Sequence, residues 1–154
     1  MTLKILLPID GTELSLHETR FALRLVHEGL AASFVLVNVQ SPASFYEMVT
    51  ARNNAQLIEQ AAQEAGEDLL APSAKLLQAA GVPFVTAVIS GDPAQSLREL
   101  IREHGCDLVV MGSRALGPIR RVLEGGSTSF RLVEESPVPV LLVKPPQADD
   151  ASEP

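Results

Sequence analysis

The chain has 154 residues, 46% of them hydrophobic, which suits one domain with a full core. No apolar run approaches the roughly 20 residues that span a bilayer, and a net charge of −7 argues against nonspecific nucleic-acid binding. The single cysteine, Cys106, excludes an internal disulfide, and no histidine pairs with it at a ligand spacing, so no structural metal site is expected.

The chain opens MTLKILLPIDGTE, without the basic region, long apolar run or cleavage site of a signal peptide, so a cytoplasmic location is expected. Residues 3–9, LKILLPI, are almost all apolar and predict a strand covered on both faces. Asp10, Gly11 and Thr12 make a turn. Residues 13–28 have helical spacing, with Leu14, Phe21, Ala22, Leu25 and Val26 on one face, and Gly29 as the stop. His17 falls on the same stripe and reads as a packed or interface histidine. Residues 33–39, SFVLVNV, predict a second strand, and residues 40–52 a loop.

Residues 53–80, rich in Ala, Gln, Glu and Leu, predict a long helix interrupted at Gly66 and Pro72. A kink near Ala71 or two abutting helices are expected there. Residues 82–89, VPFVTAVI, form a third strand. Asp92 and Pro93 supply an N-cap and a proline at the first helical position, with Gln95 placed as in a capping box. Ala94, Leu97 and Ile101 face the core, and His104 and Gly105 close this helix. His27 and His104 both sit near helix ends, where protonation suits the dipole.

Residues 107–111 predict a short buried strand that runs into a Gly-containing basic loop. Arg114, Arg120 and Arg121 lie between Gly112 and Leu123, a stretch with no acidic residue. Gly125, Gly126 and Ser127 end the loop, where a short helix begins, and residues 138–143 form a fifth strand behind Pro137. Strand, Gly-rich turn and helix N-terminus present backbone N–H groups to a phosphate. A solvated charged loop is the alternative. Residues 147–154 read as a polar, mobile tail behind a domain of residues 1–146.

Strands alternating with helices imply a parallel sheet with helices on both faces and right-handed crossovers. With strand order 3-2-1-4-5, the order reverses between the first and fourth strands. Ligands in such sheets bind beyond the carboxyl ends of the strands at that reversal. The loops there are residues 8–12 and 112–127.

The segments ILLPIDGTELS, SGDPAQSL, CDLVVMGSR and SPVPVLLVK together resemble the universal stress protein family, over residues 2–145. The resemblance implies an α/β, Rossmann-like three-layer sandwich around a five-stranded parallel sheet. Its nucleotide-binding branch carries Gly-x-x-Gly, nine residues, then Gly-Ser or Gly-Thr. Gly112 matches the first glycine, Ala115 stands at the second, and Gly125, Gly126 and Ser127 follow with the serine one place late.

The resemblance implies ATP as ligand, with Mg²⁺ as an accompanying ion. Pro8 and Ile9 line the base pocket, Asp10 meets the adenine or ribose side, and Val39 flanks the adenine. Met111, Gly112, Ser113, Arg114 and Ala115 pass beneath ribose and phosphates. Gly125, Gly126, Ser127 and Thr128 donate to phosphate. Each has a plainer reading: Asp10 as a turn or cap residue, Gly112 as a turn, Ser127 and Thr128 as caps, Asp92 as a cap, and the arginines as solvated. The resemblance also implies a homodimer through the strand at residues 138–143, which pairs with its copy. No catalytic residue is expected, and hydrolysis of bound ATP is slow at most.

The leading expectation is an ATP-binding stress-response module, with no nucleic-acid or membrane partner. A dimer that works without nucleotide through contacts to an unidentified protein is the alternative. A phosphoacceptor domain fits less well, because the first strand ends in one aspartate and not an acidic pair. A hydrolase lacks its G-x-S-x-G elbow.

Overall fold

The computed structural model describes residues 1–40, 55–113 and 128–146. Five strands, β1 (Leu3–Pro8), β2 (Ala32–Gln40), β3 (Phe84–Ser90), β4 (Leu108–Gly112) and β5 (Val140–Val143), form one sheet. Its order is β3-β2-β1-β4-β5 and every pair is parallel, as the alternation of elements predicts. Among the described residues four helices accompany it: α1 (Glu13–His27), α2 (Ala55–Ala79), α3 (Pro93–His104) and α4 (Thr128–Glu135).

The central strand shows why its sequence is an unbroken apolar run. Ile5, Leu6 and Leu7 are consecutive and all fully buried, so both faces of β1 are covered. On one face Ile5, Leu7, Ile9, Phe34, Leu36 and Val110 pack with Ala22 of α1 and with Leu70 and Leu77 of α2. On the other, Leu6, Val35, Val37, Val109 and Met111 pack with Leu97, Leu100 and Ile101 of α3 and Leu132 of α4. The result is three layers.

α1 differs from its sequence pattern. Phe21 and Val26 do pack against the core, but the deepest positions are Ser15, Glu18, Thr19 and Ala22. Small and polar residues occupy the centre because α1 also lies close to α2. Thr19 Oγ1 is 2.9 Å from Ser73 Oγ and 2.8 Å from the Ser15 carbonyl. His17 is half-buried beside this stripe.

α2 runs as a single helix through Pro72, not as two abutting helices. The proline removes the donor that would reach the carbonyl of Asp68. Both residues are exposed, so water can take the donor's place. Gly66 of the same helix rests on β3: a Cβ there would lie 2.4 Å from Val88 Cγ1.

Asp92 caps α3 as expected, accepting the Gln95 N–H at 3.1 Å. The reciprocal half of a capping box is absent, because the Gln95 side chain bonds to Glu99 at 3.3 Å instead. Among the described residues, ion pairs Arg131–Asp92 at 3.1 Å and Arg98–Glu135 at 3.4 Å tie α3 to α4. β5 begins at Val140, two residues later than expected. Pro137 and Pro139 lack N–H groups, and Val138 N–H donates to Ser136 Oγ at 3.1 Å in a local turn. Gln40, expected to open the loop of residues 40–52, instead ends β2, and the rest of that loop and the tail at 147–154 lie outside the described residues.

Candidate functional site at the strand-order reversal

β1 lies between β2 and β4, and the chain leaves β1 toward α1 but leaves β4 toward α4. That divergence opens a crevice at the carboxyl ends of the two strands. Residues 9–12 form one rim. Gly112 and Ser113 begin the other, and α4 starts at Thr128, two positions after Gly126 in the sequence.

The β1 rim is held by a compact hydrogen-bond cluster. Asp10 Oδ1 accepts from the Thr12 amide at 3.0 Å, the Thr12 hydroxyl at 2.6 Å and the Ser15 hydroxyl at 2.6 Å. The Asp10 N–H donates to Ser15 Oγ at 2.9 Å. Thr12 is the N-cap of α1, its side chain accepting the Ser15 N–H at 3.4 Å. Gly11 between them has φ +82, which favours glycine. Asp10 thus acts as the turn residue that its sequence position allows, with one carboxylate oxygen engaged inside the protein.

Pro8 pairs with Val37 in register, so both side chains lie on the face toward α3 and α4. Val39 packs at the margin of that core, and Met111 is 6% exposed within it. Pro8, Val39 and Met111 therefore come together on one face. Ile9 does not join them. Its side chain is 3% exposed in the opposite core beside Phe34 and Leu36, and its carbonyl accepts from Asn38 Nδ2 at 2.8 Å. Beneath the crevice Ile9 is floor, not a side-chain wall.

Gly112 is explained by close packing. A Cβ there would stand 2.7 Å from Leu14 Cγ, and the Gly112 N–H donates to Glu18 Oε1. Ser113, 8% exposed, continues the strand's bonding by donating its N–H to the Val143 carbonyl at 2.7 Å. Arg114, Ala115, Gly125, Gly126 and Ser127, with Arg120 and Arg121, lie outside the described residues. Thr128 is described as the first residue of α4.

Two residues that the sequence reading left aside shape this region. Asn38 is 4% exposed, holds the Ile9 carbonyl, and accepts from Gln40 Nε2. Its signal was a lone amide inside a β-branched run. Glu18 is 2% exposed. Burial pushes its carboxyl well above the usual carboxylate range, against the opposing pull of the Gly112 amide. Its signal was a charge four residues after Leu14 and four before Ala22, on the stripe itself. Among the described residues no cluster of His, Cys, Asp or Glu could hold a metal, and no helix is long and apolar enough to cross a membrane.

A doubly wound parallel sheet with a crevice at its reversal defines a Rossmann-like α/β protein. The Universal stress protein family matches residues 1–144. A universal stress protein of Methanocaldococcus jannaschii is 29% identical over 146 residues, covering 95% of this chain and 84% of that one. One from Thermus aquaticus is 32% identical over 141 residues, covering 91% and 97%. The chain belongs to the universal stress protein family.

Solved structures share the fold. A hypothetical protein studied as a structural-genomics test case superposes with a TM-score of 0.74 at 22% identity, covering 96% of this chain and 99% of its own. A universal stress protein in complex with cAMP gives 0.66 at 22% identity, covering 93% and 97%. An Arabidopsis thaliana family member with AMP bound gives 0.66 at 18% identity, covering 98% and 99%.

Proposed function

We propose that this protein is a cytoplasmic, nucleotide-responsive regulatory module of the stress response. ATP, with Mg²⁺ as its accompanying ion, binds between the loops after β1 and β4. The observation that carries the reading is the convergence of Pro8, Val39 and Met111 on one face of the sheet at its reversal. Two structural neighbours hold adenine nucleotides, which supports the adenine choice. The base rests against Pro8 and Val39 with Asp10 beside the ribose. Residues 112–115 pass under the phosphates, and residues 125–128 donate to them at the start of α4. The role of the protein is to bind and signal, with hydrolysis slow at most.

The module acts as a homodimer through β5. This short edge strand carries Leu142, 39% exposed, and the adjoining α4 carries Val133, 46% exposed. Edge strands with apolar side chains are normally covered or paired.

A second reading has specific support. One Asp10 oxygen and the Gly112 amide are already engaged inside the protein. A dimer that binds no nucleotide and works through protein contacts would use them as they are. The test is to purify the protein without added nucleotide, denature it and analyse what is released. Adenine nucleotide at near one per chain supports the first reading. Nothing released, with no ATP binding by calorimetry, sinks it.

A further inference from the structure

The ladder between β1 and β2 stops one rung short, and the residue at the stop is Asn38. Phe34 N–H donates to the Pro83 carbonyl at 3.0 Å, and the Gln40 carbonyl accepts from Gly91 at 3.1 Å. The even-numbered residues of β2 therefore bond to β3, while Val35, Val37 and Val39 turn their backbone groups toward β1. The Val37 carbonyl accepts the Ile9 N–H at 2.8 Å, and pairing in register ends at Pro8–Val37. On the next rung the Val39 N–H would reach the Ile9 carbonyl. That carbonyl instead accepts Asn38 Nδ2 at 2.8 Å. The Asn38 amide is 4% exposed and held from its other end, where Oδ1 accepts from Gln40 Nε2 at 2.5 Å. Among the described residues the Val39 N–H and carbonyl meet no partner. They lie side by side, facing the space beyond the end of β1.

We infer that Asn38 is a positioning residue for base selection: by occupying the Ile9 carbonyl it keeps the last rung open, and the Val39 N–H and carbonyl stay turned to the crevice as a donor–acceptor pair for the edge of adenine. The inference rests on the nucleotide reading given above and deepens it. Adenine offers an acceptor, N1, beside a donor, its N6 amino group, and so matches an N–H beside a carbonyl. Hypoxanthine reverses the order, with a donor at N1 and an acceptor at O6. Donor then meets donor and acceptor meets acceptor, and polar groups left mispaired in a crevice weigh more than a contact merely lost. Asn38 itself needs no contact with the base, because it acts through the Ile9 carbonyl. The base edge is read at residues 9, 38 and 39, so the placement of the phosphates does not enter. Without the Asn38 amide, the Val39 N–H is the donor nearest in register to the Ile9 carbonyl, and the strand ends are drawn together at the expense of the base.

The experiment is calorimetric titration of ATP and of inosine triphosphate into the full chain and into Asn38→Leu. The two nucleotides carry the same ribose and phosphates, so the ratio of their affinities reports on the base edge alone. Wild type should favour ATP by about 100-fold or more. Asn38→Leu keeps the approximate size of the side chain but cannot donate to Ile9. Its preference should fall toward parity, chiefly through weaker ATP binding. A merely structural role for Asn38 lowers the melting temperature and weakens both nucleotides alike. Equal affinities in wild type, or an unchanged ratio in the folded variant, overturn the inference. Absence of binding heat for either nucleotide in wild type is a different result, and it overturns the nucleotide reading itself. Should Asn38→Leu fail to fold, amide hydrogen exchange of wild type decides. The Val39 N–H should exchange quickly without ligand, slow down with ATP and stay quick with inosine triphosphate. Slow exchange at Val39 without ligand means that the rung is closed, and it overturns the inference.

Discussion

Gly66→Ala sets two effects of known size against each other. Gly66 lies inside α2, where exchange of glycine for alanine is worth about 1 kcal/mol in helix propensity. By propensity alone the variant is more stable. The contact with β3 argues the opposite. The new methyl would lie 2.4 Å from Val88 Cγ1, 2.7 Å from Cγ2 and 3.1 Å from Cβ. Comfortable carbon contacts lie near 3.5–4.0 Å. Turning the valine does not clear the space, because both methyls and the Cβ are too near. The strand cannot retreat either, because Val88 pairs with Asn38 in the β2–β3 ladder. α2 must therefore lift by about an ångström, and overpacking of this kind costs about 1–3 kcal/mol.

The net expectation is a loss of about 1 kcal/mol, or about 2–4 °C in Tm for a chain of this length. Denaturant melts followed by circular dichroism measure it. In a Val88→Ala background the same substitution should turn stabilising, with a coupling of about 1–3 kcal/mol between the sites. If Gly66→Ala stabilises the otherwise unchanged protein, the helix–sheet contact does not control this position.

Asn38→Ala should cost about 1–3 kcal/mol, because the Ile9 carbonyl loses its side-chain donor in a buried place; urea melts check it. Asp92→Ala removes the cap of α3 and should cost about 1 kcal/mol. The Gln95 amide, then Arg131, hold the Asp92 carboxyl below its usual range. Its stabilisation is therefore present above the unfolded pKa and fades as pH falls through the folded one. A melting series in acid should show that slope in wild type and less of it in Asp92→Ala, with the Arg131 share small because both side chains are over a third exposed. Leu142→Lys should dissociate the proposed dimer without unfolding the chain, since Leu142 is exposed while Val140 packs on the core. Sedimentation showing an unchanged mass would remove β5 from the interface.

Parts of the fold around the candidate site were legible because they are local. Asp92 announces a cap by side-chain type and position, and the structure places it at the start of α3, whereas Thr12, read only as a turn residue, proves to be the N-cap of α1. The apolar runs of β1, β2 and β4 announce a sheet covered on both faces. Ile9 was harder, because its neighbour Pro8 lies toward the crevice while alternation turns Ile9 to the opposite core. Glu18 was harder still. A charge on an apolar stripe signals something unusual, yet its partner Gly112 is 94 residues away.

The amino-acid sequence by itself determined the order of elements, the parallel sheet, the capped helices and the family. Each depends on periodicity, turn chemistry or motifs that are read within a short window. Tertiary structure decided which residues spend their polar groups on one another. Asp10 became the knot of the first turn, Asn38 the tie on Ile9, and Glu18 a buried acid under Gly112. The last two choices depend on which strand or helix lies beside which, and on how closely. Those distances are set by packing across the sheet, where residues far apart in the chain share one small volume.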